Sequence, residues 1–173
     1  MQYFSKECFM FYLHNSLTPT GTNLDQCGFR GCPMLGHSYD TEKARHQQIP
    51  FDSSNIAMTY TSLASLLILG DDLSRVHKKA VIQGVKSLQQ ADGSFVSVLE
   101  GSEYDMRFVY CACCICHMLN DWSGVDMDKA ASYIVQSLSY EGAFGQRPFN
   151  EAHGIFIDIR YSKQGVLGAS GTG

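Results

Sequence analysis

The stretch Val76-His77-Lys78-Lys79-Ala80-Val81-Ile82-Gln83-Gly84-Val85-Lys86-Ser87-Leu88-Gln89-Gln90-Ala91-Asp92-Gly93-Ser94-Phe95 carries the pattern that decides the fold. Val76, Ala80, Val81, Val85 and Leu88 recur at helical spacing, with Lys78, Lys79 and Lys86 on the other side, which predicts an amphipathic helix over 76–90 capped by Ser74. Asp92-Gly93 then reverses the chain, because glycine reaches positive φ at no steric cost. Phe95 follows, free to pack back on the helix. The same sentence of sequence returns downstream. Met127, Ala130, Ala131, Ile134, Val135 and Leu138 form a second one-face stripe behind Asp126 as N-cap, and Leu138-Ser139-Tyr140-Glu141-Gly142-Ala143-Phe144 repeats the turn. Phe144 lies 49 residues after Phe95. Cys27-Gly28-Phe29-Arg30-Gly31 reads as an earlier copy with a longer loop behind it.

Between these units lie two segments of another kind, Ala57–Leu69 and Met106–Leu119. They are almost free of charge after their first turns and rich in small residues, which predicts helices buried on all sides. Tyr60 and Tyr110 stand 50 residues apart, as do Leu69 and Leu119. Buried and amphipathic helices therefore alternate with a period near 50, the mark of stacked helix hairpins. The fold class is all-α, and a stack this short does not close a ring. It either pairs with another polypeptide or is a piece of a longer one. A fifth, weaker helix is expected over Gln2–His14, and a long surface loop over Cys32–Ser54. Residues 1–154 are expected to hold the repeats. In 155–173, Ile155-Phe156-Ile157-Asp158-Ile159 alternates like a strand and Gly165–Gly173 is rich in Gly, Ser and Thr, so this tail is expected to be poorly ordered.

Composition narrows the function. Thirteen Lys+Arg stand against seventeen Asp+Glu, a net charge of −4, so no face is basic enough for a nucleic-acid backbone. No apolar run approaches the ~18 residues of a membrane span. Met1–Met10 lacks a basic start and a cleavage site, and Ser170–Gly173 has no prenylation box of its own. Seven cysteines, four of them within Cys111–Cys116, suit reduced thiols in the cytoplasm better than a disulfide framework. Cys113 and Cys116 have C-x-x-C spacing, but on a helix the four thiols spread around the axis, so they read as buried thiols and not as metal ligands. Asp105, Asp71 and Asp72 read as caps or loop charges.

Several blocks, in order, resemble the β subunit of protein prenyltransferases. They are Ile56-Ala57-Met58-Thr59-Tyr60-Thr61, Leu69-Gly70-Asp71-Asp72-Leu73-Ser74-Arg75-Val76, Asp92-Gly93-Ser94-Phe95 and Glu100-Gly101-Ser102-Glu103-Tyr104-Asp105-Met106-Arg107-Phe108-Val109-Tyr110-Cys111. Cys27-Gly28-Phe29-Arg30-Gly31 and Asp121-Trp122-Ser123-Gly124-Val125-Asp126-Met127 draw the resemblance toward the type I geranylgeranyltransferase β subunit. It covers residues 24–154. It implies a partial α/α toroid, with inner helices lining a cavity and outer helices around them. It also implies a cytosolic heterodimer with an α subunit. That enzyme moves a geranylgeranyl group from geranylgeranyl diphosphate to the cysteine of a C-terminal CaaX motif ending in Leu or Phe. A zinc ion lowers the pKa of the accepting thiol.

The resemblance carries over to particular residues. Tyr60, Arg107 and His153 match positions that meet the lipid or its diphosphate; Asn55, Ala57, Met58 and Phe108 match positions near the end of the CaaX peptide. The residues themselves leave alternatives open. Arg107 either faces the cavity or pairs with Asp105 or Glu103 at a helix start. Tyr60, Ala57, Met58 and Phe108 either line a pocket or pack in the core, and His153 is either a diphosphate donor or a loop histidine. The family's zinc ligands, an Asp and a Cys two residues apart and a distant His, have no match here, nor do its main diphosphate-binding Arg and Lys. The chain departs from the family at Arg147-Pro148-Phe149 and after Gly154. No catalytic residue and no metal ligand is assigned within it.

Overall fold

The structure is a computed structural model, and it describes residues 13–14, 24, 27–29, 54–99, 101, 103–140 and 142–152. Its helices are α1 (Ile56–Ile68), α2 (Lys78–Leu88), α3 (Met106–Leu119) and α4 (Met127–Gln136). Two short strands, β1 (Leu13–His14) and β2 (Gly28–Phe29), pair antiparallel. Leu13 and His14 are thus extended, which corrects the end of the helix expected over Gln2–His14. The rest of that segment, residues 32–53 of the expected loop, and the tail 155–173 lie outside the described residues.

The repeat is visible bond by bond. In one turn Gln90 N–H donates to the Ser94 carbonyl at 2.8 Å and Gly93 N–H to the Gln90 carbonyl at 3.1 Å. Forty-nine residues on, Ser139 N–H donates to the Ala143 carbonyl at 2.8 Å and Gly142 N–H to the Ser139 carbonyl at 3.1 Å. Gly93 and Gly142 take φ of 91° and 76°, the left-handed region the turn needs. The aromatic after each turn is buried: Phe29, Phe95 and Phe144 are all at 4% exposure or less. Each bridges back toward the chain before its turn, Phe95 to Gln89, Phe144 to Leu138 and Phe29 to Leu13. The reading of residues 27–31 as an earlier copy therefore holds at Cys27–Phe29.

Successive repeats are tied by polar contacts as well as by packing. The Gln89 side chain pairs with the Asp126 backbone on both edges of its amide, donating to the carbonyl at 3.0 Å and accepting from the N–H at 2.7 Å. Ile56 N–H donates to the Ser97 carbonyl, and Met106 N–H to the Gln146 carbonyl. Each inner helix thus starts on the turn of the following repeat. The core runs between α1, α3 and the outer helices, through Leu63, Leu66, Val81, Val85, Val109, Ile115 and Ile134.

Four local expectations need correction. Helix α2 is capped by His77, whose Nδ1 accepts from Ala80 N–H, and not by Ser74. Asp71 and Asp72 accept from Leu73 and Ser74 N–H, so Ser74 is consumed in the preceding turn. Neither inner helix is buried all round: Met58, Thr61, Leu67 and Ile68 are exposed on α1, Ile68 at 85%, and Arg107 and His117 are exposed on α3. Among the described residues α3 and β2 are the main neighbours of α1. On α4, Ala130, Tyr133 and Ile134 are buried. Val135 and Leu138, expected in the core, are exposed, because Val135 sits on a flank that no described residue covers and Leu138 lies beyond the helix end.

One buried group has no role in this scheme. Tyr133 is 1% exposed, and its hydroxyl has no hydrogen-bond partner among the described residues. Burial pushes its pKa up to about 12. Tyr133→Phe removes an unpaired polar atom and keeps the ring, so it is expected to leave stability unchanged or raise it by up to ~1 kcal/mol. Urea unfolding checks this, and a clear loss would mean the hydroxyl is bonded.

Candidate functional site

The side of the inner helices left open to solvent carries a polar and aromatic stripe. On α3, Arg107, Tyr110, Cys114 and Met118 follow one another at steps of three and four, so they share a face. On α1 the matching face is Ala57, Met58, Tyr60, Thr61 and Ala64. The two helices meet here through Tyr60 and Tyr110, whose rings stack edge to face with centroids 5.6 Å apart at 73°. Both are half-buried. The Tyr60 hydroxyl and, next, the Cys114 thiol hold the Tyr110 proton and raise its pKa. The pair offers an apolar wall with one polar end.

Arg107 lies one turn before Tyr110, with its side chain 52% exposed. Of the two alternatives for this residue, the pairing is observed, and it leaves the side chain half exposed. Asp105, fully buried, caps α3 by accepting from Arg107 N–H at 2.7 Å through Oδ1. Its Oδ2 accepts from Arg107 Nε at 2.8 Å, from Arg107 Nη2, and from Gln146 Nε2 at 3.1 Å. Glu103 Oε1 lies 3.4 Å from Nη2. Burial raises the Asp105 pKa; hydrogen bonds from the Arg107 side chain, Gln146 and the Arg107 N–H, with the guanidinium charge, outweigh it and hold the carboxyl below its ordinary value. With two carboxylates against it, Arg107 offers hydrogen-bond donors more than a net positive field. Among the described residues its Nη1 donates to none.

The other expected site residues divide. Met58 is 42% exposed and Ala57 half-buried, both on the open stripe beside Tyr60. Asn55 is the N-cap of α1, its Oδ1 accepting from Ala57 and Met58 N–H, so its side-chain oxygen is already occupied. Phe108 is 6% exposed in the core cluster, with the Arg107 guanidinium 5.8 Å from its ring centre. It packs away from the stripe. His153 lies outside the described residues.

The α3 cysteines behave as buried thiols. Burial pushes Cys111, Cys113 and Cys116 up to about 12, so they stay protonated at neutral pH. Cys114 is half-buried and is raised by burial as well. Among the described residues no group of three or more His, Cys, Asp or Glu is placed to hold a metal ion. Asp105, Asp71 and Asp72 serve as cap and turn acceptors, as expected.

Sequence reasoning missed Tyr110, Cys114 and Gln146. The 50-residue spacing of Tyr60 and Tyr110 was the available signal for the first, since equivalent positions on neighbouring inner helices come side by side in a stack. Nothing in the sequence alone joins Gln146 to Asp105.

Comparison with known proteins agrees with this architecture. The family model described as "Prenyltransferase alpha-alpha toroid domain" matches residues 4–157. The chain is 42% identical over 127 residues to geranylgeranyl transferase type-1 subunit beta of Arabidopsis thaliana, covering 69% of this chain and 34% of that protein. It is 41% identical over 137 residues to the protein of the same name from Dictyostelium discoideum, covering 76% and 39%. Among solved structures, Candida albicans protein geranylgeranyltransferase-I complexed with GGPP superposes with a TM-score of 0.67 at 19% identity, covering 96% of this chain and 48% of that one. The chain thus spans little more than a third of the length of these curated relatives.

Proposed function

Because the chain belongs to the prenyltransferase alpha-alpha toroid family, we propose that it serves as a β-type subunit of protein geranylgeranyltransferase type I. In this reading it works in the cytoplasm with a prenyltransferase α subunit. The complex moves a geranylgeranyl group from geranylgeranyl diphosphate to the cysteine of a CaaX protein ending in Leu or Phe. The observation that carries the reading is the stripe on α1 and α3, where the stacked Tyr60–Tyr110 pair stands beside the donors of Arg107. No described helix is long and apolar enough to cross a membrane.

The residues divide the work by their chemistry. Tyr60 and Tyr110 supply flat apolar area against an isoprenoid. Arg107, with Nη1 uncommitted among the described residues, donates hydrogen bonds to the polar part of a ligand. Met58 and Ala57 shape the neighbouring surface toward the peptide end, with Asn55 fixing the start of their helix. Phe108 backs that surface from the core, and His153 adds a donor for the diphosphate. Zinc, which the family relation implies, would lower the pKa of the substrate thiol. The described residues do not fit it, because no group of three or more His, Cys, Asp or Glu among them converges on one point.

A second reading is a binding module that presents the lipid and peptide surface without the thiolate-activating centre, since no group of His, Cys, Asp or Glu among the described residues is placed to hold a metal ion. Two measurements on the chain with a purified α subunit separate the readings. Both predict binding of a fluorescent geranylgeranyl diphosphate analogue, weakened about tenfold in Tyr60→Ala. The transferase reading adds product from a CaaX peptide ending in Leu. Absence of analogue binding would sink both.

A further inference from the structure

Among the described residues the junction between an inner helix and the turn of the next repeat occurs twice, and the two copies differ. In the first, Asn55 caps α1 and Ile56 N–H donates to the Ser97 carbonyl at 2.9 Å. In the second, Asp105 caps α3 and Met106 N–H donates to the Gln146 carbonyl at 3.0 Å. The backbone solution is the same. The side chains are not: uncharged Asn55 and Ala57 stand where Asp105 and Arg107 are charged, and Ser97 stands where Gln146 carries a longer amide. Repeat stacking therefore does not require a buried carboxylate and an arginine. Such a pair costs desolvation and is weak evidence of a stabilising role.

The geometry of the second junction shows what the extra groups do. Asp105 Oδ2 is gripped from two sides, by Nε and Nη2 of Arg107 on its own helix and by Nε2 of Gln146 from the next repeat. The Gln146 backbone is fixed at the same place by its bond to Met106. The neighbouring Arg147 donates to the Tyr104 carbonyl at 2.9 Å and lies 4.1 Å over the Tyr104 ring, which secures the segment further. The cap bond from Arg107 N–H fixes Oδ1; the Gln146 amide ties Oδ2 to the next repeat, so that the guanidinium bound to it keeps one orientation.

We propose that Gln146 is a positioning residue: through Asp105 it fixes the Arg107 guanidinium on the open face of α3, so that the Nη1 donors are presented to the ligand. This rests on the reading that Arg107 meets ligand, and it adds a residue 39 positions downstream of Arg107.

The test uses the full chain with the α subunit and a fluorescent geranylgeranyl diphosphate analogue. Gln146→Met is expected to weaken analogue binding about tenfold, the scale of one hydrogen bond to a charged group. In an Arg107→Gln background the same change is expected to do nothing further. Nuclear magnetic resonance of the Arg107 Nε–H supplies a readout independent of ligand, with faster solvent exchange expected in Gln146→Met. Equal weakening in both backgrounds, or unchanged Nε–H exchange, would overturn the proposal. Loss of binding in Arg107→Gln with none in Gln146→Met would overturn it alone. Undiminished binding in Arg107→Gln would remove the ligand role of Arg107 and this consequence of it together.

Discussion

Asp105→Asn is expected to destabilise the chain by about 3 kcal/mol and to flatten part of its acid denaturation. Oδ2 of this buried carboxylate receives three side-chain donors, Nε and Nη2 of Arg107 and Nε2 of Gln146. An amide in its place turns an NH2 toward those donors, or flips and loses the Arg107 N–H from its cap. Either way a buried donor goes unpaired. The full ~5 kcal/mol of a broken buried ion pair is not expected, because Arg107 is half exposed and water can take up its charge. The pH dependence has a definite sign. The folded pKa of Asp105 is depressed, so its contribution is complete above the ordinary carboxylate value and is lost as pH falls through the lower folded value. The wild-type chain should thus lose more stability than Asp105→Asn between about pH 4 and the acid limit. Urea unfolding at a series of pH values measures both effects; parallel curves would mean the carboxylate is not held by Arg107 and Gln146.

The same cluster marks how far sequence reasoning reaches. Asp105 as a cap and Arg107 as its partner follow from positions two residues apart at a helix start, where the geometry is local. Gln146 does not follow, because its contact with Asp105 depends on how far the next repeat is displaced, which no local propensity encodes. The helices show the same division. Period and spacing placed all four, because apolar stripes record which face is buried. They failed where an end is decided by a side chain outside the usual preferences, as at His77, or where exposure depends on a neighbour. Leu67 and Ile68 read as core and stand in solvent for that second reason. Tyr60 was legible from its block, whereas Tyr110 was legible only once equivalent positions are understood to touch.

Gly84→Ala tests the stacking itself, and here helix propensity and packing predict opposite results. Gly84 lies inside α2, where alanine favours the helix by about 1 kcal/mol. A Cβ at that position, however, would stand 1.9 Å from the Cys27 carbonyl oxygen and 2.9 Å from its carbon. Those are backbone atoms, so no rotamer change relieves the overlap. The strand cannot easily withdraw either. Phe29 is fully buried, its N–H donates to Thr59 Oγ1 at 2.9 Å, and its carbonyl accepts from Asn55 N–H at 3.0 Å. Displacing Cys27–Phe29 therefore pulls on the start of α1, which carries Ala57, Met58 and Tyr60. The next junction closes the same way with the roles exchanged: Gly93 of the turn meets the Lys129 carbonyl of α4, where a Cβ would lie at 2.1 Å. In both places turn and outer helix approach to a distance only glycine permits. Overpacking of this kind costs typically about 1–3 kcal/mol, and a backbone overlap this close stands at the upper end, so a net loss of about 2 kcal/mol is expected for Gly84→Ala after the propensity gain. Gln83→Ala, exposed one residue earlier, isolates the propensity effect and should be neutral or slightly stabilising. If Gly84→Ala instead matches Gln83→Ala in urea, α2 does not approach Cys27, and the first contact of the stack has to be redrawn.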